Sequence, residues 1–313
     1  MSKIKAEQIE YKNFGKCLRI TNGKIEAVVT LDVGPRILKF AFVGGENFFH
    51  EDIDRESCTC GEPLEAVFGK GSKWFIYGGH RLWLSPEDMP MTYYPDNEPV
   101  NYNIIDGGVE LIPPAQRVND VQYRIQFIMS EDKPQATVNH FITNVGGSTI
   151  KRAPWAITVM RRGGMEVIPE PINNTGLLAN RVLSLWPYSD MSDDRIYWGK
   201  KYITMRQDTS VSSAFKFGIN NNRGWAAYFV NNGMFLKRYN HNQSGNYPDN
   251  GVSFETFTNN QILEMETLGE LVDITPGGTA FHSEEWTLID NVECPAPNDE
   301  VTLDTLVKLY IEK

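Results

Sequence analysis

An all-β fold, a large antiparallel β-sandwich with a short C-terminal helix, is predicted by three features of the sequence. Apolar residues alternate over many short stretches, as half-buried strands require. Gly, Asn, Asp and Pro punctuate those stretches, as turns require. Only one stretch, near the C-terminal end, carries a convincing helical spacing.

Taken in order, the first clear strand is 24–31, where Ile25, Ala27, Val29 and Leu31 share one parity. A second follows at 36–43. Tyr123, Ile125, Phe127 and Met129 then alternate with Gln122, Arg124, Gln126 and Ile128. Further strands are expected at 109–112, 136–143, 153–160, 202–206, 214–219, 224–230, 234–239, 252–257, 261–267 and 279–288. Many short strands with turns between them favour a sandwich over alternating βαβ units. Over 299–312, Leu303, Leu306, Val307 and Tyr310 recur at helical spacing, with Asn298 available as N-cap. Two polar insertions, 87–103 and 161–198, are rich in Pro, Asn, Asp and aromatics. Loops of that kind on a β scaffold often form a ligand rim.

With 313 residues, 41% hydrophobic and 22% charged, the composition is that of an ordinary globular protein with ample core. No linker divides it, so a single domain over 1–313 is expected. The formal net charge of -10 argues against nucleic acid or an anionic membrane as partner. No secretory leader or membrane span is visible, and Cys17, Cys58, Cys60 and Cys294 form no zinc-ligand spacing. Reduced thiols and a cytoplasmic location are the resulting expectation.

Chemistry is concentrated in few places. Gly78 and Gly79 allow a sharp turn and close approach, and His80, Arg81 and Trp83 follow with acid/base, anion-binding and stacking groups. Glu264 and Glu266, two apart in a strand, project from one face, where each raises the other's pKa as a general base working near neutrality requires. Lys237 and His241 offer groups for hydroxyls or an acidic substituent, with Glu255 nearby; Asp249 lies in a Pro-Asp-Asn-Gly sequence that a simple turn also explains. Arg36 with Arg81 and Lys237 would make a cationic pocket suited to a sugar acid or sugar phosphate. His140 shares parity with Val138 and Ile142 and reads as a buried strand histidine.

Gly78-Gly79-His80-Arg81-Leu82-Trp83 resembles the start of a strand in the galactose mutarotase-like (aldose 1-epimerase-like) superfamily. The likeness continues at 32–37, 263–269, 271–277 and 282–286, in the family's order, and so spans nearly the whole chain. It implies the β-supersandwich of those proteins and a carbohydrate ligand, a monosaccharide or a charged derivative. It also implies anomer interconversion by acid/base catalysis, with no metal or other cofactor. By its distance to Thr275-Pro276-Gly277, Glu264 takes the place of the family's catalytic base, with Glu266 in reserve; His80 is the matching acid. The family's second histidine, in a His-Pro-Tyr-Phe-like segment, is missing: Arg152-Ala153-Pro154-Trp155 stands there, and Trp155 offers stacking in place of an acid. The alternatives are a non-catalytic sugar-binding or sensing protein of the same fold, or a sugar lyase or isomerase using the same cleft. The geometric expectation is that His80 and Glu264 face each other across one depression.

Overall fold

The computed structural model describes residues 4–312. Two large sheets pack face to face, and every strand pairing within them is antiparallel. The centre of the first, eleven-stranded sheet runs Ile37–Phe42, Gly79–Ser85, Ile150–Met160, Leu263–Leu268, Phe254–Thr258 and Phe215–Ile219. The second, ten-stranded sheet is centred on Trp225–Val230, Gly233–Tyr239, Thr279–Asp290, Gln135–Asn144 and Val121–Met129. This is the predicted antiparallel sandwich. Its core is filled from both inner faces: Phe40 and Phe49 of the first side meet Phe127, Phe235 and Trp286 of the second, with ring centroids 5.3–6.2 Å apart. Edge-to-face aromatic contacts at these separations add to the area they bury.

Val121–Met129 alternates buried and half-buried residues, as its sequence predicts. Ile25–Thr30 departs from expectation, because both of its faces are buried. Its outward Glu26 is paired with Arg19 and Lys39, and Val28 packs with Phe14, Cys17 and Tyr77. Gly78 and Gly79 both hold positive φ, and an added Cβ would collide with the carbonyl oxygens of His50 and Ile37. Only glycine permits this crossing.

The C-terminal helix forms at Glu300–Leu306 and continues with wider turns over Val307–Ile311. Asp299, rather than Asn298, is its cap, accepting from the Thr302 N–H at 3.0 Å. Leu303 and Val307 pack on Met165, Tyr202 and Trp225, covering the outer face of the second sheet. A seven-residue helix at Glu62–Phe68 escaped the sequence reading, being too short to show a period. The insertion 161–198 contains the short strands Met165–Pro169, Leu183–Leu185 and Ile196–Trp198. Among the described residues, no helix is long and apolar enough to cross a membrane.

Candidate functional site

A cleft of ≈ 420 Å³ lies on the outer face of the first sheet. That is within the range of about 300–1,000 Å³ usual for small-molecule sites. Its floor follows from strand register. Arg81 stands opposite Ile157 and Trp83 opposite Trp155; Glu264 is opposite Val159 and Phe257, and Glu266 opposite Ile157 and Glu255. Lys216 completes the floor from Phe215–Ile219, opposite Phe257. The walls come from outside the sheet: Trp74 from the two-stranded ribbon Cys58–Cys60/Lys73–Phe75, Glu87 and Tyr93 from the first insertion, and Tyr188 from the second.

The floor is polar and tightly connected. Arg81 Nη1 donates to Glu264 Oε1 at 2.9 Å, and its guanidinium lies 4.2 Å from the centre of the Trp83 ring. Trp155 Nε1 donates to Glu266 Oε2 at 2.9 Å. The ammonium of Lys216 sits 2.9 Å from both Glu255 and Glu266 and 4.5 Å from the Trp155 ring. Burial works against the Lys216 charge, but the two carboxylates outweigh it and hold the ammonium protonated. Burial pushes Glu255 well above the usual carboxylate range, and Glu266 upward in the same sense; one lysine does not offset both. Two buried polar atoms of the cleft lining, Arg81 Nε and Trp74 Nε1, have no partner among the described residues, and beneath the floor neither do the Oε1 atoms of Glu255 and Glu266. Buried polar atoms are rarely left unpaired, so their concentration at one concavity marks it for a polar ligand.

Of the residues the sequence singled out, Arg81, Trp83, Trp155 and Glu264 line this cleft, and Glu266 lies directly beneath it. His80 does not. Side chains alternate along Gly79–Ser85, so with Arg81 and Trp83 outward, His80 points between the sheets, where it is fully buried. The expectation that His80 and Glu264 share one depression is therefore corrected. Lys237 is likewise fully buried between the sheets, 3.0 Å from Glu284. Arg36 is anchored to Asp96 at 2.5 Å and to the carbonyls of Pro35 and Ile76, away from the cleft. His241 stacks on Tyr247 and bonds Ser253. Asp249 has a positive φ in a tight turn, and its carbonyl accepts from Ser184. Neither His241 nor Asp249 lines the cleft, and the cationic pocket of Arg36, Arg81 and Lys237 does not form.

Lys216, Trp74, Glu87, Tyr93 and Tyr188 were missed. Lys216 carried a usable signal, a lone cation between Phe215 and Phe217 in an apolar strand. The others come from loops and a three-residue strand, where no periodicity places a side chain.

Between the sheets lies a second, enclosed polar group. His80 Nε2 is 2.7 Å from His140 Nε2, and His80 Nδ1 is 2.8 Å from the Thr158 hydroxyl. Glu284 accepts from Lys237, Thr267 and Trp286. By distance, His80, His140 and Glu284 are close enough to hold a metal ion. The Lys237 ammonium already supplies the cation there, and Thr158 occupies the other imidazole nitrogen of His80. Burial holds His80 well below its usual range, His140 down to about 3 and His282 down to about 4, so all three are neutral at physiological pH. Burial opposes the charge on Glu284, but the Lys237 ammonium outweighs it, and with Thr267 and Trp286 donating the carboxylate stays ionised.

Glu166 is the exception. Burial pushes its carboxyl well above the usual range, and Thr256 and Lys237 offset this only in part. A folded-state pKa above the unfolded one means the native state keeps a proton that the unfolded chain releases as pH rises past about 4.5. Stability from this group is therefore lost toward neutrality. Glu166→Gln, which mimics the protonated acid, is expected to raise the melting temperature near pH 7 and leave it nearly unchanged near pH 4. An equal shift at both pH values in thermal unfolding would contradict an uncharged Glu166.

No protein-family model matches the chain, and no curated protein matches it. Solved structures do. A protein from Klebsiella pneumoniae provisionally assigned as an aldose 1-epimerase superposes with a TM-score of 0.59 at 12% identity, covering 99% of this chain and 87% of that one. A protein from Salmonella typhimurium provisionally assigned as a mutarotase gives 0.55 at 10% identity, covering 88% and 90%. A galactose mutarotase-like protein from Lactobacillus casei gives 0.53 at 8% identity, covering 87% and 99%. The chain has the galactose mutarotase-like fold.

Proposed function

We propose that this protein binds a monosaccharide or the end of a short glycan in the cleft over Arg81 and Glu264. One observation carries the reading: unpartnered buried donors and acceptors lie in and beneath a concavity lined by indole and phenol rings. Sugars present the complementary surfaces, hydroxyls around the rim and C–H faces that stack on aromatic rings. In this pose Trp83 and Trp155 carry the ring, and Arg81 and Glu264 take paired hydroxyls. The fold supports the same ligand class, since the similar solved structures include ones described as mutarotase-like.

A second reading, anomer interconversion, is favoured by the position of Glu264. Opening a pyranose needs a base for the anomeric proton and an acid for the ring oxygen. Glu264 is a carboxylate on the cleft floor and suits the first role. For the second, no imidazole lines the cleft among the described residues. Burial pushes the phenols of Tyr93 and Tyr188 upward, making them poor acids. The balance favours binding. Following a single anomer of glucose or galactose by NMR separates the two: binding alone predicts saturable shifts with no faster exchange. Accelerated exchange that disappears in Glu264→Gln would establish the enzyme.

A further inference from the structure

The charges around the cleft bear on which sugars it takes, given the sugar-binding reading above. Arg81 is answered by Glu264, and Lys216 stands between Glu255 and Glu266. At the rim, Glu56 is met by Arg162 at 3.5 Å. Glu87 also lines the cleft but forms no ion pair among the described residues; it accepts the Tyr93 phenol at 2.6 Å. Even with one proton shared by Glu255 and Glu266, the lining retains an excess negative charge at Glu87. Tyr93 in turn touches the Trp74 and Trp83 rings, at 5.3 and 5.0 Å between centroids. The uncompensated carboxylate thus borders an aromatic wall, a combination that attracts an ammonium group and repels a second anion.

From this arrangement we infer that the cleft selects amino sugars carrying a free ammonium group over neutral sugars, and neutral sugars over sugar acids, with Glu87 as the residue that receives the amine. This reverses the preference for a sugar acid or phosphate suggested by the sequence, because two of the three cations behind that suggestion, Arg36 and Lys237, are spent elsewhere. Glu87 is exposed, so the discrimination is modest, about fivefold at low salt, and shrinks as salt is added.

The test is isothermal titration of the whole chain with D-glucosamine and D-galactosamine, the parent D-glucose and D-galactose, and D-glucuronate and D-galacturonate. The amine should be protonated throughout, and the series run at low and high salt. The expected order is amino sugar, neutral sugar, sugar acid, and the amino-to-neutral ratio should fall toward one in Glu87→Gln. Unchanged melting of that variant would show that it folds. If neutral sugars bind but amino sugars are no tighter, or sugar acids match them, the charge selection is overturned and the sugar-binding reading stands. A ratio that persists in Glu87→Gln overturns the assignment to that residue. If none of the six binds, the sugar reading falls and this inference with it.

Discussion

Glu284→Ala is expected to destabilise the protein by about 3–5 kcal/mol, the usual cost of stranding a buried charge. Glu284 is fully buried and accepts from Lys237 at 3.0 Å, Thr267 at 2.5 Å and Trp286 at 2.7 Å. Alanine would leave the Lys237 ammonium between the sheets with only the Thr158 hydroxyl and the Met265 carbonyl. Burial already lowers the Lys237 pKa, and removing Glu284 takes away the nearest carboxylate that offsets it. The paired replacement Lys237→Met with Glu284→Leu removes both charges and should cost markedly less than Glu284→Ala alone. Denaturant unfolding of the two variants measures the difference. A loss below about 1 kcal/mol in Glu284→Ala would contradict a charged, paired Glu284 in the interior.

Arg81→Met should weaken sugar binding about ten- to a hundredfold, the range for losing hydrogen bonds to a charged group. Methionine keeps an apolar stem against Trp83 but removes both the partner of Glu264 and the unpartnered Nε–H. His80→Asn provides the contrast. It lies one residue away on the same strand, yet on the face turned toward His140 and Thr158. Titration of folded His80→Asn should give an affinity close to that of the parent protein. Equal losses in the two variants would contradict the division of this strand into a ligand face and an interior face.

That division explains what the sequence could and could not convey. The sandwich was legible because strands such as Val121–Met129 have one wet and one dry face, which writes a period of two into the sequence. Glu264 and Glu266 were placed together because residues two apart on a strand share a face. Gly79–Ser85 is different: all seven of its residues are buried, one face by the core and the other by the cleft walls. Polarity therefore does not reveal which side faces a ligand, and His80 and Arg81 looked equally suited to the site. Parity alone excluded their sharing a face, but not which one belonged to the cleft. Lys237 escaped for a related reason: a buried lysine paired with Glu284 resembles in sequence a cation waiting for a substrate. The cleft walls, Trp74, Glu87, Tyr93 and Tyr188, depend on how loops return over the sheet, information carried by long-range contacts.

The most direct test of the central claim is a crystal structure of the protein soaked with D-galactose and, separately, with D-galactosamine. The account predicts the sugar ring against Trp83 and Trp155, with hydroxyl contacts to Arg81 and Glu264 and none to His80 or Lys237. A sugar seated elsewhere, or a cleft without sugar at concentrations that saturate binding in solution, would contradict it.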